Sequence, residues 1–376
     1  MQTLTPDDAM LVLNGLQRVG PVTLRRLLDA FANDPARVLS APMHELRRVA
    51  GVGHELAQTI HGWESSFDLA AERQRLADSG LAFVTLRDKE FPPLLREIYD
   101  PPTGLYFRGP LRPREQTIAI VGTRHPSRYG RELARKWAAG LARRGWCVAS
   151  GLARGIDTAA HEGALEADGP TVGVLGCGPD LMYPPENLEL ARKIAENGAV
   201  ISEFKFGTRA SKTTFPMRNR LLSGMSRAVV VIETAERGGS LITAKFAAEH
   251  GRIVCAAPGD IGRESASGCH RLIRDGATLV TSVEEILQEL DYAPVQDELA
   301  LADEAEPATV ASRPPVPLEG DEATVAHALR EAGRADLDSL ADGLELPFPA
   351  ISAALLMLEL KGVVRKTPDG AFESRA

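Results

Sequence analysis

Six short runs of apolar residues recur along the middle of the chain, between residues 117 and 290, and each is two to four residues long. The stretches between these runs show the apolar spacing of helices. Short, fully apolar strands that alternate with helices indicate a parallel sheet that is covered on both faces. We therefore predict an α/β fold with a doubly wound, mainly parallel Rossmann-like sheet, whose strands contain residues 118–121, 147–149, 172–175, 200–201, 229–232 and 253–255.

The N-terminal segment, residues 1–65, is predicted to form a helical domain of its own. Two similar units, residues 16–24 and 46–56, place glycine turns between short helices and resemble helix-hairpin-helix turns. Such a turn can offer backbone N–H groups at a helix N-terminus to a phosphate. The second unit alone has the full hydrophobic-Gly-hydrophobic-Gly pattern, and a purely structural pair of helices is an equal alternative.

The end of the chain combines a low-complexity segment with a small domain. Residues 291–320 are rich in Asp, Glu, Ala and Pro, and they are predicted to be a flexible linker. The linker joins the extended Rossmann-like domain, residues 66–290, to a winged-helix-like domain, residues 321–376, in which helical spacing precedes a candidate hairpin. The third helix of this last domain carries no basic residue before Lys361, which favours contact with a protein over base recognition in a major groove.

The net charge of −8 is distributed unevenly. Residues 291–322 contain nine acidic residues and one basic residue, an excess that equals the net charge of the whole chain. Between Phe204 and Arg227 there is no acidic residue. A run of this kind suits an anionic partner, although an ordinary solvated basic surface explains it equally well. Its six basic residues are Lys205, Arg209, Lys212, Arg218, Arg220 and Arg227.

The cysteine count and the hydropathy profile argue against several classes of protein. The four cysteines are far apart and form no CxxC pair, which is typical of buried thiols in a reducing compartment and does not indicate a zinc site. No apolar stretch approaches the roughly 18 residues that a membrane span needs, and the first residues lack the pattern of a secretory signal. We therefore expect a cytoplasmic protein without a metal and without a membrane partner.

Two glycine-rich loops follow the first two predicted strands of the sheet. Ligands of open α/β sheets bind beyond the carboxyl ends of the strands, so these loops are candidate ligand sites. The first loop contains Gly122, Arg124 and Ser127, and the second begins with Ser150 and Gly151. Small residues let backbone amides approach an anion, and the Arg124 guanidinium can donate a bidentate pair of hydrogen bonds to a phosphate.

The motifs of the common cofactor and catalytic sites are absent from the sequence. No G-x-G-x-x-G follows the first strand, Ser150-Gly151 replaces the acidic residue expected after the second, and residues 207–213 lack the second glycine of a phosphate-binding P-loop. Ser150 also lacks the G-x-S-x-G setting of a nucleophile. Asp157, four residues before His161, is explained more simply as a helix N-cap than as a catalytic acid. We predict no cofactor and no catalytic residue.

A basic segment with one aromatic residue extends from Lys212 to Arg220. Lys212, Arg218 and Arg220 can contact a phosphate backbone. Asn219 offers amide hydrogen bonds, and Phe215 offers a face for a base. This combination is typical of proteins that hold single-stranded nucleic acid. The alternative is a core phenylalanine beside surface arginines.

Taken together, these stretches resemble the DNA-processing protein A family, called DprA or Smf, from about Phe91 to Thr281. No single motif is decisive, but their order along the chain is specific. The motifs are Phe91-Pro92-Pro93-Leu94-Leu95 with Asp100-Pro101-Pro102, residues 120–124 with Ser127 and Tyr129-Gly130, residues 150–157 with Ala160-His161, Gly176-Cys177-Gly178 with Tyr183-Pro184, residues 215–220, Gly239-Ser240-Leu241, Ala257-Pro258-Gly259, and Gly268-Cys269 with Leu272-Ile273 and Gly276-Ala277.

The resemblance implies a non-enzymatic protein that binds single-stranded DNA, protects incoming DNA during natural transformation and helps to load RecA recombinase. It also implies a homodimer built through the Rossmann-like domain, and some members carry a hairpin or sterile-alpha-motif-like helical domain before it and a winged helix after it. In the family, the arginine of the G-x-R loop and a lysine three residues before a phenylalanine contact the DNA backbone, and that phenylalanine stacks on a base. Those positions are Arg124, Lys212 and Phe215 here. The full set of predicted DNA-binding residues is Gly122, Arg124, Ser127, Gly151, Lys212, Phe215, Arg218, Asn219 and Arg220.

Two other functions compete with this hypothesis. A Rossmann-like enzyme that acts on a nucleotide or a nucleotide-sugar would use the glycine-rich turn at residues 238–241, with Glu233 as its acid. Binding of double-stranded DNA through the two terminal domains is a weaker alternative, since those domains are neutral to acidic.

Overall fold

The structure, a computed structural model, describes residues 4–112, 116–292, 320–335, 337–344, 346–361, 363–367 and 371–374. The chain forms two compact units, Met1–Gln296 and Asp297–Ala376. Most of the predicted linker at residues 291–320 lies outside the described residues.

Helices α1–α14 and strands β1–β9 make up the first unit. The helices are α1 (Pro6–Gly15), α2 (Pro21–Ala30), α3 (Pro35–Ser40), α4 (Met43–Leu46), α5 (His54–His61), α6 (Leu69–Ser79), α7 (Pro93–Arg96), α8 (Arg128–Arg143), α9 (Ile156–Glu166), α10 (Leu188–Asn197), α11 (Thr214–Gly224), α12 (Ser240–Glu249), α13 (Glu264–Arg274) and α14 (Val283–Tyr292), with 3₁₀ turns at Trp63–Ser65 and Pro185–Asn187. The strands are β1 (Ala82–Thr85), β2 (Gly104–Arg108), β3 (Thr117–Gly122), β4 (Cys147–Ser150), β5 (Thr171–Val174), β6 (Ala199–Ser202), β7 (Ala228–Ile232), β8 (Ile253–Ala256) and β9 (Thr278–Leu279).

These strands form one sheet in the order β1-β2-β6-β5-β4-β3-β7-β8-β9. Neighbouring strands from β6 to β9 run parallel, whereas β1 pairs with β2, and β2 with β6, in antiparallel fashion. The six predicted apolar runs are β3 to β8, so the prediction of a doubly wound, mainly parallel sheet is confirmed. Strands β1, β2 and β9 were not predicted, because none of them is a fully apolar run. Strands β1 and β9 are the two edges of the sheet, and β2 lies between β1 and β6.

Alternate side chains of the central strands point to opposite faces of the sheet and build two cores. On one face, Ile118 and Ile120 of β3 pack in a cluster with Trp137 of α8. On the other face, Ala119 of β3 belongs to a cluster with Leu221 of α11. All of these side chains are buried. Because helices cover both faces, the side chains from Ile118 to Val121 are all apolar, which explains the continuous apolar run in the sequence.

Helices α1–α5 pack against the antiparallel edge of the sheet. Helices α2 and α5 begin directly after Gly20 and Gly53, so both predicted glycine turns lie between helices. The apolar side chains of these helices share a core with the buried ring of Tyr106 in β2. The Tyr106 hydroxyl donates a hydrogen bond of 2.8 Å to the buried Glu72 carboxylate of α6. The helices thus belong to the same compact unit as the sheet, and a domain boundary after residue 65 stays a prediction.

The second unit is a winged helix, as predicted. Its elements are α15 (Asp321–Ala332), β10 (Arg334–Ala335), α16 (Leu337–Gly343), α17 (Phe348–Leu360), β11 (Val364–Lys366) and β12 (Phe372–Ser374). The strands form an antiparallel sheet in the order β10-β12-β11, and the two-residue β10 was not predicted. Lys361, directly after α17, pairs with Glu322 of α15. The basic residue noted at the end of this helix is therefore engaged within the unit.

The four cysteines are all buried. Burial raises the pKa of the Cys177 and Cys269 thiols to about 11 and that of Cys255 to about 12. Among the residues that the structure describes, no group of three or more His, Cys, Asp and Glu side chains is placed to hold a metal ion. Nor does any helix in these ranges combine the length and the apolar character that crossing a membrane requires.

Candidate nucleic-acid interface

The loops at the carboxyl ends of β3 and β7 meet the first turns of α11 and α12 at one groove. The order of the strands along the chain reverses direction between β3 and β7, and such switch points are where open α/β sheets bind ligands. The groove has a volume of about 440 Å³. Six of the predicted DNA-binding residues line it, namely Gly122, Arg124, Lys212, Phe215, Arg218 and Asn219.

Arg124 and Phe215 form a cation–π pair in this groove. The Arg124 Cζ lies 4.8 Å from the centroid of the Phe215 ring. Arg124 is exposed and Phe215 is half-buried. Gly176 leaves the space that the ring needs, since a Cβ at this position would be 3.0 Å from the Phe215 Cδ1. The pair therefore presents a positive charge and an aromatic surface at the same place.

Tyr183 is a candidate site residue that was not among the predicted ones. Its ring centroid is 5.7 Å from that of Phe215, with an angle of 53° between the ring planes. The side chain is 42% exposed, so it extends the aromatic surface toward solvent. Tyr183 belongs to a motif that supports the family resemblance, but a single tyrosine in a loop gives no indication in the sequence of the ring that it contacts.

Glu233 holds both ends of the loop that carries Arg124. Its backbone carbonyl accepts the Thr123 N–H at 2.7 Å. Its carboxylate accepts the Ser127 N–H at 2.7 Å and also the Ser127 hydroxyl. Ser127 in turn caps α8 by accepting the Gly130 N–H at 3.0 Å. The amide and the hydroxyl of Ser127 are thus engaged within the protein, and both oxygens of the Glu233 carboxylate accept hydrogen bonds from Ser127.

Lys212 lies on the turn that begins α11. The Thr214 hydroxyl accepts the Ser211 N–H at 2.9 Å, and the Ser211 hydroxyl accepts the Thr214 N–H at 3.2 Å. These reciprocal bonds fix the turn. Lys212 itself is exposed, and no carboxylate of the described residues pairs with it. Its charge is therefore available to a ligand in the groove.

Arg218 lies beneath the groove and is 4% exposed. Its Nη1 donates to the Val174 carbonyl at 2.7 Å and to the Gly151 carbonyl, which ties α11 to the ends of β4 and β5. Burial lowers the pKa of Arg218 and raises that of Asp157, and each of these two charges opposes the shift of the other. A Cβ on Gly151 would be 1.9 Å from the Arg218 Nη1, so a larger residue there would displace the guanidinium from its hydrogen bonds. Both residues support the groove from below.

Arg220 lies outside the groove. It is 4% exposed, its Nε is 3.2 Å from the Asp100 Oδ2, and its Nη2 pairs with Glu203. Asn219, by contrast, is half-buried within the groove, where its Nδ2 donates to the Gly239 carbonyl at 3.4 Å. From the sequence, Arg220 was predicted to be available to DNA, because neither of its acidic partners, Asp100 and Glu203, is close to it along the chain.

The acid–base candidates near the groove make internal contacts. The N-cap of α9 is Gly155, so the prediction that Asp157 caps this helix was wrong. Asp157 instead accepts the Gly151 N–H at 3.1 Å. The Nδ1 of His161 is 2.7 Å from the Thr171 Oγ1, and burial lowers the pKa of His161 to about 3. The imidazole is therefore neutral and is enclosed in the core.

The fold and the groove define a doubly wound α/β protein with a cationic and aromatic site at the switch point of its sheet. Residues 82–291 match the family model of DNA recombination-mediator protein A, and residues 306–370 match that of the DprA winged helix domain. The chain therefore belongs to the DNA recombination-mediator protein A family, also called DprA or Smf. The resemblance inferred from the sequence motifs is confirmed.

Relatives and solved structures agree with this assignment. The chain is 34% identical to Protein Smf of Synechocystis, over 95% of this chain and 96% of that protein. It is 40% identical to DNA processing protein DprA of Bacillus subtilis, over 72% of this chain and 91% of that protein. The X-ray structure of DNA processing protein A from Streptococcus pneumoniae matches with a TM-score of 0.66 and 32% identity, over 77% of this chain and 99% of that chain. A structure of the Helicobacter pylori protein, described for its single-stranded DNA binding mode, matches with a TM-score of 0.50 and 28% identity, over 55% of this chain and 95% of that chain.

Proposed function

We propose that the chain binds single-stranded DNA in the groove at the switch point and acts in DNA processing during natural transformation. The observation that carries this proposal is the Arg124–Phe215 pair, which places a phosphate-binding charge next to a stacking surface. Lys212 adds a second available charge in the same groove. Membership of the family supports the proposal, as does the Helicobacter pylori relative that is described for binding single strands.

The predicted residues divide into two roles in this proposal. Arg124 and Lys212 contact phosphates, and a base joins the stack that Phe215 forms with the guanidinium above it. Gly122 and Asn219 line the path of the strand. The remaining predicted residues position the loops and α11 through buried or internal contacts: Ser127, Gly151, Arg218 and Arg220.

We propose that the protein acts through binding and not through catalysis. A catalytic acid or base needs a proton that can be exchanged with a substrate. Near the groove, Asp157 and Glu233 accept internal hydrogen bonds, and His161 is buried and neutral. The Cys177 thiol has its pKa raised to about 11 by burial, so it remains protonated at neutral pH.

We further propose, on the basis of the family resemblance, that the protein helps to load RecA recombinase and works as a homodimer built through its Rossmann-like domain. A groove of about 840 Å³ with a mainly apolar lining lies near β8 and β9 and suits the second copy. Leu279 follows Thr278, which lines the groove, and its side chain is 47% exposed at this edge of the sheet. Light scattering should give twice the chain mass for the wild type and the mass of one chain for Leu279→Glu. RecA loading is measured as filament formation on DNA covered by single-strand binding protein, and Arg124→Glu should abolish it.

Fluorescence anisotropy of a labelled single-stranded oligonucleotide tests the groove directly. Phe215→Ala should weaken binding by about 5- to 150-fold, because base stacking contributes about 1–3 kcal/mol. Arg124→Glu should weaken it more, since it reverses a charge that faces a phosphate. Arg131→Glu is the matched control: Arg131 is exposed on α8 outside the groove and should tolerate the same change. Equal losses in Arg124→Glu and Arg131→Glu, or strong competition by unlabelled duplex, would contradict the proposal.

A further inference from the structure

A second pocket lies where the N-terminal helices meet the segment around β1 and α7. Its volume of about 400 Å³ falls within the range of about 300–1,000 Å³ that is usual for small-molecule sites. Three arginines line it: Arg25 of α2, Arg87 after β1 and Arg96 at the end of α7. Among the described lining residues the one carboxylate is that of Asp29. The lining therefore carries a net positive charge, which attracts an anion.

Backbone carbonyls, and not carboxylates, hold the three guanidiniums. The donor–acceptor pairs are Arg25 Nη1 to the Tyr99 carbonyl at 3.4 Å, Arg87 Nη1 to the Asn33 carbonyl at 3.3 Å, and Arg96 Nη2 to the Asp88 carbonyl. Within the described ranges of the chain, no ion pair neutralises any of the three. The Arg96 Nε is buried, and no acceptor in those ranges bonds to it. These contacts orient the arginines and leave most of their N–H groups for a ligand, and guanidinium N–H groups match the geometry of phosphate oxygens.

The same pocket has an extensive apolar lining. Its apolar members are Met10, Pro21, Leu24, Leu28, Leu86 and Pro101. An anion alone gains nothing from such a lining, whereas a nucleotide can place its base or sugar against it and its phosphate on the arginines. Asp29 can accept a hydrogen bond from a sugar hydroxyl or a base amino group.

We propose that this pocket is a second phosphate-binding site of the protein, and that its ligand is a nucleotide unit. The site is separate from the groove at the switch point, and the proposal does not require DNA to bind there. The nucleotide has two possible sources, which are a free mononucleotide and a phosphate of a DNA strand that extends beyond the groove. Both have the same recognition chemistry, so the experiment needs one arm for each.

The test compares Arg25→Gln/Arg87→Gln with the matched control Arg26→Gln/Arg37→Gln, both in the full chain. Arg26 and Arg37 are exposed in the same helical region, do not line the pocket and lie outside the two glycine-turn units at residues 16–24 and 46–56. Arg96 is left unchanged, because its guanidinium also lies 5.7 Å from the centroid of the Phe91 ring in the core. Each protein is measured for its melting temperature with added dAMP and for its affinity for a labelled single-stranded oligonucleotide.

A free nucleotide as ligand predicts that dAMP raises the melting temperature of the wild type and the control but not that of Arg25→Gln/Arg87→Gln. A strand phosphate as ligand predicts no response to dAMP and an oligonucleotide affinity at least about tenfold lower in the pocket variant than in the control, the loss expected for one charge-assisted hydrogen bond. If neither measurement separates the two double variants, the proposal is wrong. Arg124→Glu tests the groove separately from the pocket, because Arg124 lines the groove and not the pocket. This variant should therefore keep any rise in melting temperature that dAMP causes in the wild type.

Discussion

Replacing Arg218 with methionine should destabilise the first unit without removing a contact to DNA. The guanidinium is 4% exposed, donates to the Gly151 and Val174 carbonyls and faces the buried Asp157 carboxylate. Removing one partner of a buried charge pair leaves the other uncompensated, which costs about 3–5 kcal/mol. We therefore expect the free energy of unfolding of the first unit to fall by about that amount. Arg124→Met removes an exposed side chain and should change it by less than about 0.5 kcal/mol.

Tryptophan fluorescence in urea measures this difference in the first unit alone. The three tryptophans, Trp63, Trp137 and Trp146, all lie within Met1–Gln296. Unfolding of the winged helix therefore does not contribute to their transition, and the change in midpoint at constant slope gives the loss of stability.

The salt dependence of DNA affinity then separates a supporting residue from a contacting one. Each lost phosphate contact reduces the log–log slope by about 0.7 for single strands. Arg124→Met should lose about 0.7 of slope, whereas folded Arg218→Met should keep the wild-type slope even where its affinity is lower. A fully stable Arg218→Met protein whose slope falls by about 0.7 would refute this reasoning, because Arg218 would then contact a phosphate directly.

Three further experiments test buried groups of the first unit. Because burial lowers the pKa of His161 to about 3, the unfolded state alone gains its proton below the ordinary pKa of about 6.5. The free energy of unfolding should therefore fall with decreasing pH between 6.5 and 5, by up to about 1.4 kcal/mol per pH unit. Urea unfolding of His161→Gln at a series of pH values should show a weaker dependence of this free energy on pH. Gly151→Ala places a Cβ 1.9 Å from the Arg218 Nη1 and should lower the free energy of unfolding by about 1–3 kcal/mol. Gly239→Ala is the control, because no atom lies within 4 Å of the added Cβ, and its melting temperature should equal that of the wild type. Equal melting temperatures for the two variants would contradict this prediction. The four buried thiols should react with Ellman's reagent in urea and far more slowly in the native protein, and fast native labelling would show that they are accessible.

The central strands could be predicted from the sequence because both faces of the sheet are covered. Val229, Val230 and Val231 of β7 all contact a core, so the strand has no polar position that interrupts its apolar run. Strand β2 gives no such pattern, because its burial falls from Tyr106 to an exposed Arg108 and its partners are antiparallel. Strands of this kind depend on distant neighbours that a local pattern does not contain.

The exposed part of the groove was predictable for a different reason. Arg124, Lys212 and Phe215 lie in loops or first helical turns at the carboxyl edge of the sheet, and topology alone brings that edge together. The roles of Arg218 and Arg220 were not predictable, since a sequence shows a charged residue but not the distant carbonyl or carboxylate with which it forms a hydrogen bond or an ion pair. The same limit applies to the Glu233 carboxylate, which lies under α8, far along the chain from the Ser127 that it holds.

The number of basic residues between Phe204 and Arg227 that remain available to a strand determines how steeply DNA affinity should depend on salt. Arg218 and Arg220 are buried in internal contacts, and the Lys205 Nζ donates to the Gly15 carbonyl at 3.0 Å. The charges that the groove itself offers to a strand are then Arg124 and Lys212, which predict a log–log slope of about −1.4 per chain. A steeper slope requires phosphate contacts outside the groove, and the pocket of three arginines offers them. A slope near −1.4 that Arg25→Gln/Arg87→Gln leaves unchanged would confine the strand to the groove, and the pocket would then be left to a free nucleotide.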